Sequence, residues 1–163
     1  MKIELKNIKY FEAGSEETFC FVASLYVDGK SAGEVRNDGH GGCHMFSDWN
    51  VAKRMDKYGA TLPKQTSDLG NGQTFTFEQS AESLVNDLLI AHLTERDVKK
   101  RMGKRILYTK PGSPAIYETK AFDAKTLAQF LSMPDTMAKL KADRILNLMP
   151  FADAVALYKA NAK

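Results

Sequence analysis

Residues able to act on or hold a ligand gather in one stretch of this chain, Asn37-Asp38-Gly39-His40-Gly41-Gly42-Cys43-His44. Two imidazoles and a thiol are ligand types suited to zinc, and Asp38 or Asp48 would supply an oxygen. The spacing opposes a tetrahedral structural site. Cys43 and His44 are adjacent and diverge in an extended chain, and only distant Cys20 and His92 remain to complete a shell. No metal site and no cofactor is therefore expected. A Cys–His nucleophile would also need an orienting group and an oxyanion donor, and neither can be placed, so no catalytic residue is assigned.

The glycines at 39, 41 and 42 permit positive φ, so consecutive N–H groups could converge on an anion. A helix starting near Ser47 would add its positive end. The segment carries neither the G-x-G-x-x-G fingerprint nor the Gly-Lys-Ser/Thr ending of nucleotide-binding loops. Asn37, Asp38, Gly39, His40, Gly41, Gly42 and His44 form the candidate partner- or anion-binding loop. The plainer alternative is a turn from strand to helix, the usual employment of glycine. A small metal- or nucleotide-dependent enzyme centred on this loop is the third functional alternative.

A second feature is electrostatic. Between Arg96 and Lys110 lie Arg96, Lys99, Lys100, Arg101, Lys104, Arg105 and Lys110, opposed within that window only by Asp97. Arg96, Lys99, Lys100, Arg101, Lys104 and Arg105 are the candidate contacts to nucleic acid or an acidic partner, with Tyr108 and Tyr117 placed to stack on bases. Cations near a helix C-terminus are also favoured by the helix dipole, without any ligand. His92 falls on an apolar stripe and reads as a core or subsurface histidine.

The elements that must position these residues follow from periodicity. Ile3 and Leu5 alternate with Glu4 and Lys6 before the apolar phase shifts to Ile8 and Tyr10, the mark of a β-bulge near Lys6 and Asn7. Residues 18–27 are apolar on both faces, as in a central strand, and Asp28-Gly29 signals a hairpin back to Val35. Ser47 is the expected cap of a helix through Gly59, and residues 61–76 read as a long loop with a short strand near 74–77. Ala81, Leu84, Val85, Leu88 and Leu89 predict a helix over about 80–102, closed by Gly103. A second hairpin flanks Pro111-Gly112-Ser113-Pro114. Helices follow from Asp123, Pro134-Asp135 and Pro150. The expectation is one α+β domain over 1–163, an N-terminal antiparallel sheet packed by helices, in which helices 123–162 form at most a subdomain.

Composition narrows the classes. The 163 residues suffice for a core without staples, and two isolated cysteines suggest no disulfide framework. The N-terminus lacks the apolar core of a signal peptide, and no run approaches the ~20 apolar residues of a membrane span. A cytoplasmic protein without a membrane partner is expected. Net charge is only +3, from 23 basic and 20 acidic residues, which neither requires nor excludes a polyanion.

The N-terminal block ending GKSAGEVRNDGHGGC, Gly29 to Cys43, after its phase-shifted first strand, resembles small uncharacterised proteins carried by phages and other mobile elements. The resemblance covers about the first quarter and carries over no catalytic residues. It implies a non-enzymatic protein, localised in the host cytoplasm, that inhibits a host protein or protein–nucleic acid complex, as anti-CRISPR and other anti-defence proteins do. The alternative from the residues themselves is direct DNA or RNA binding through the basic run at 96–110.

Overall fold

The phase slip near Lys6 is where the first strand, β1 (Ile3–Tyr10), bulges in the computed structural model, which describes residues 1–161. Asn7 sits at φ 53°, and pairing with β2 (Phe21–Val27) is irregular between Lys6 and Lys9. Asparagine tolerates this left-handed conformation better than most residues. Asp28 and Gly29, at φ 51° and 78°, form the expected tight turn into β3 (Lys30–Asn37). β4 (Met45–Phe46) completes an antiparallel sheet of order β1-β2-β3-β4. Phe21, Ala23, Leu25 and Val27 are buried along one face of β2, while Val22, Ser24 and Tyr26 on the other face are half-buried, although the strand is interior to the sheet.

Helix α1 (Trp49–Gly59) buries Val51, Ala52, Met55 and Gly59. Its cap is Asp48, whose carboxylate accepts from the Asn50 N–H at 2.9 Å, and not the expected Ser47. The Ser47 hydroxyl instead accepts from the Glu34 N–H at 2.8 Å, so tertiary pairing with β3 removes it from the helix start.

The expected long loop at 61–76 is also corrected. It contains a hairpin of β5 (Gln65–Gly70) and β6 (Gln73–Phe77). Asn71 and Gly72 turn it at φ 53° and 76°, a two-residue turn of the same kind as Asp28-Gly29. Its strands carry mostly exposed Thr, Ser and Gln, so the alternation of buried and solvated residues that marks a strand is missing.

Helix α2 (Ala81–Met102) follows. The chain is compact in two units, Met1–Ile90 and the residues from Ala91 onward. In the second unit a sheet of order β8-β7-β9 is built from β7 (Leu107–Lys110), β8 (Ser113–Glu118) and the two-residue β9 (Arg144–Ile145). Leu107 joins Val98, Leu146, Ala154 and Val155 in one buried cluster, while Ile106, Ile145 and Leu127 form another.

Among the described residues this unit also holds the α-helices α3 (Ala124–Ser132), α4 (Thr136–Leu140) and α5 (Phe151–Asn161). Asp123 caps α3, and hydrogen bonds from the Thr126 hydroxyl and N–H hold its carboxyl below the usual range. The architecture is α+β. Residue 162, the last of the expected helical segment, and residue 163 lie outside the described residues. Among the described residues no helix is long and apolar enough to cross a membrane.

Candidate functional site

Asn37, at the end of β3 and 3 % exposed, organises the glycine loop. Its Oδ1 accepts from the Gly39 N–H at 2.9 Å and the Thr18 hydroxyl at 2.8 Å. Its Nδ2 donates to the Gly42 carbonyl and to His44 Nδ1, both at 3.2 Å. The Gly41 N–H donates to Thr18 Oγ1 at 3.3 Å. The amides of Gly39 and Gly41 thus point at protein acceptors.

The converging amides of this region belong to another segment. The N–H groups of Glu16, Glu17 and Thr18 all donate to the Gly39 carbonyl, at 3.1, 2.9 and 3.2 Å. The approach is close enough to require glycine at 39. Its φ is 89°, and a Cβ there would stand 1.9 Å from the Gly14 carbonyl oxygen.

His44 is buried beneath the loop, edge-on to Phe21 with ring centroids 5.1 Å apart. Nε2 lies 3.1 Å from Asn86 Oδ1, and Nδ1 accepts from Asn37, so the hydrogen-bond network assigns the neutral Nε2–H tautomer. Burial lowers its pKa. Glu82, with Oε1 3.8 Å from Nδ1, and the Asn86 bond pull the other way without overcoming desolvation.

The remaining loop side chains do not converge with it. His40 is exposed and meets Glu16 at 3.2 Å, Asp38 is exposed, and Cys43 is an exposed free thiol. Cys20 is free and half-buried. Among the described residues no group of three or more His, Cys, Asp or Glu is placed to hold a metal ion.

The basic run divides into two groups. Arg101 Nε donates to Asp97 at 2.7 Å and its Nη1 to Glu118 at 3.1 Å, while Arg105 donates to the other oxygen of Glu118. The Asp97 bond is the chief cause of the raised pKa of Arg101. At roughly 100° per residue, Arg101 lies beside the buried Val98, which turns it toward the β8 carboxylate. Arg96, Lys99 and Lys100 lie farther around the helix, and all three are exposed, as is Lys104 in the following turn. Among the described residues no salt bridge occupies Lys99, Lys100 or Lys104.

His92 shares this stripe at i, i+4, i+7 and i+8 with Arg96, Lys99 and Lys100. It is exposed, contrary to the core placement expected from its spacing. The fully buried positions of α2 within the first unit end at Leu89, which leaves His92 in phase with the apolar stripe but uncovered. Tyr108 and Tyr117 stack on one another at 5.7 Å, and Lys110 sits over the Tyr117 ring at 4.3 Å. Tyr108 packs on the Ile106 cluster, whereas Val98 belongs to the Leu107 cluster. Adjacent residues of a strand face opposite sides of the sheet, so Tyr108 lies on the face opposite the one that packs on Val98 of α2.

A cleft of about 430 Å³ adjoins the glycine loop within the first unit. Tyr10, Phe19 and Ile90 give it apolar surface, and Glu16, Glu17 and Glu82 give it charge. Ser15, Thr18, His44 and Asn86 complete the lining. Apart from His44, no sequence signal pointed to these residues, because 42 positions separate His44 from its partner Asn86.

No known family, curated protein or solved structure matches this chain. The buried histidine is engaged at both nitrogens, and the glycine-loop amides at 39 and 41 face inward. Lys99, Lys100 and Lys104 are exposed, and the cleft presents the carboxylates of Glu16, Glu17 and Glu82.

Proposed function

We propose that the protein is a non-enzymatic interaction protein that engages a polyanionic surface, the phosphates of a nucleic acid or of a protein–nucleic acid complex, through the stripe His92, Arg96, Lys99, Lys100 and Lys104. The observation that carries this reading is the division of the basic run. Arg101 and Arg105 are bound to Asp97 and Glu118, whereas Lys99, Lys100 and Lys104 stand exposed without a carboxylate partner among the described residues. Helix-dipole compensation accounts for cations in the last turn of α2, but Lys104 lies beyond the helix end. An inhibitor of a host nucleic-acid-processing complex, expected from the N-terminal block, would use such a surface to occupy phosphate-binding ground.

The contact is one of charge rather than base reading, since Tyr108 and Tyr117 are stacked on each other with Lys110 over the Tyr117 ring. Binding should therefore depend on salt and little on sequence. The test is fluorescence anisotropy of labelled DNA and RNA across a salt series. Lys99→Glu/Lys100→Glu/Lys104→Glu should abolish binding, and single Lys→Ala changes should each reduce the log–log salt slope by about one. Undetectable binding of the unmodified protein at low salt would remove the reading.

A further inference from the structure

The cleft of the first unit has a wall chemistry opposite in sign to the α2 stripe. Glu16, Glu17 and Glu82 line it, and no lysine or arginine does. His44 at its edge adds no compensating charge, because Asn37 and Asn86 hold the neutral ring in a desolvated position. Glu82 stands 3.8 Å from that neutral ring, beyond a hydrogen bond. The Glu16 carboxylate meets the exposed His40 at 3.2 Å. The Glu17 carboxylate lies over Gly41, where a Cβ would come within 2.5 Å of its Oε2, so the glycine loop makes room for it. Among the described residues neither Glu17 nor Glu82 forms a salt bridge with a lysine or arginine.

We propose that this cleft is a docking site for an arginine side chain presented by a basic segment of a protein partner. Charge complementarity selects a cation, and a cleft of about 430 Å³ holds a guanidinium with its alkyl stem and part of the flanking backbone. Phe19 offers a ring on which a planar guanidinium stacks, and paired carboxylate oxygens match its forked donors. Ile90 gives the methylene stem an apolar wall. Lysine would meet the charge but leave the ring face and the fork geometry unused. A quaternary ammonium would meet the charge and the aromatic walls but has no N–H to donate to Glu16, Glu17 or Glu82. The site is independent of the polyanion reading and survives its failure. If both hold, the partner is a protein–nucleic acid complex offering an arginine to one surface and phosphates to the other.

The test titrates the full ¹⁵N-labelled chain with the blocked peptide acetyl-Gly-Arg-Gly-amide at low salt, beside its lysine and citrulline counterparts. Citrulline keeps the shape of arginine and removes the charge. Expected are saturable shifts at the Thr18 backbone and Asn86 side-chain amides, with affinity falling roughly tenfold or more for citrulline and less for lysine. Glu17→Gln/Glu82→Gln should abolish the saturable response while its amide spectrum remains that of the folded chain. Equal binding of the citrulline peptide, shifts scattered over surface carboxylates without saturation, or an unchanged response in the folded double variant would each overturn the proposal.

Discussion

Asn37 Nδ2 and His44 Nδ1 face each other at 3.2 Å inside the first unit, and through this contact the glycine loop is tied to a buried neutral histidine. Asn37 holds three further partners, the Gly39 N–H, the Thr18 hydroxyl and the Gly42 carbonyl. Replacing Asn37 by Ala strips partners from several of these groups at once. A loss of ~2 to 4 kcal/mol is expected in urea unfolding, with loop amides 39–42 exchanging faster. Stability within 0.5 kcal/mol of the parent, the order of an ordinary surface substitution, would show the network is not structural.

The buried His44 makes stability pH-dependent. Its folded pKa lies below the ordinary 6.5, so near that pH the unfolded chain binds more protons than the folded one. The contribution is fully present above 6.5 and is lost as pH falls toward the depressed folded value. Urea midpoints should therefore drop with acidification through this window, and His44→Gln, which cannot titrate, should flatten the slope. An identical slope in the variant would assign the effect to other groups.

Two glycines of the loop separate steric demand from backbone strain. Gly42 has φ 86° and open space around a Cβ, so Gly42→Ala should cost about 1 to 2 kcal/mol. Gly39→Ala must also displace the Gly14 carbonyl and the three N–H groups that hold Gly39, so the expected loss is ~4 kcal/mol or more. Thermal melts of the two variants check the order, and equal melting temperatures would contradict it.

Glu118 joins Arg101 to Arg105 on a partly exposed surface. Glu118→Gln should change stability by about 1 kcal/mol or less, since such pairs are screened by solvent. It also frees Arg105 and leaves Arg101 with Asp97 as its remaining carboxylate, so elution from heparin should shift to higher salt. Elution unchanged from the parent would mean the two arginines lie outside the polyanion contact.

The β5–β6 hairpin pairs with no other strand among the described residues, and Leu69 and Phe75 on it are 65 % and 56 % exposed. Two strands alone are marginal in water. Hydrogen exchange should be faster for residues 65–77 than for β2, whose inward side chains are buried. Comparable protection would indicate support for the hairpin from elsewhere.

Where a structural decision is made within a few residues, the chain displayed it openly. The bulge at Asn7, the Asp28-Gly29 turn, the Asp123 cap and the extent of α2 rest on side-chain alternation, positive-φ tolerance and helical spacing. The Asn71-Gly72 turn carried the same signal but lay between strands without a buried face, so the polar composition of 61–76 masked it. β9 is two residues long and is a strand because Tyr108 and Thr109 pair with it, a relation no local window contains. Ser47 illustrates the same competition. It is a competent cap by type, yet the free Glu34 N–H across the sheet takes its hydroxyl.

The glycine loop could be found from composition, but its chemistry could not. Sequence alone established that Gly39, Gly41 and Gly42 allow an unusual backbone, that His40, Cys43 and His44 stand close together, and that cations crowd the end of α2. Tertiary structure decided which way each group faces. It placed the Gly39 carbonyl on the amides of Glu16 to Thr18, buried His44 against Asn86, paired Arg101 and Arg105 with Glu118, and assembled the carboxylate cleft. Backbone preference is a property of a residue and its immediate neighbours. Burial, protonation and charge pairing depend on whichever distant segments the folded chain brings against them.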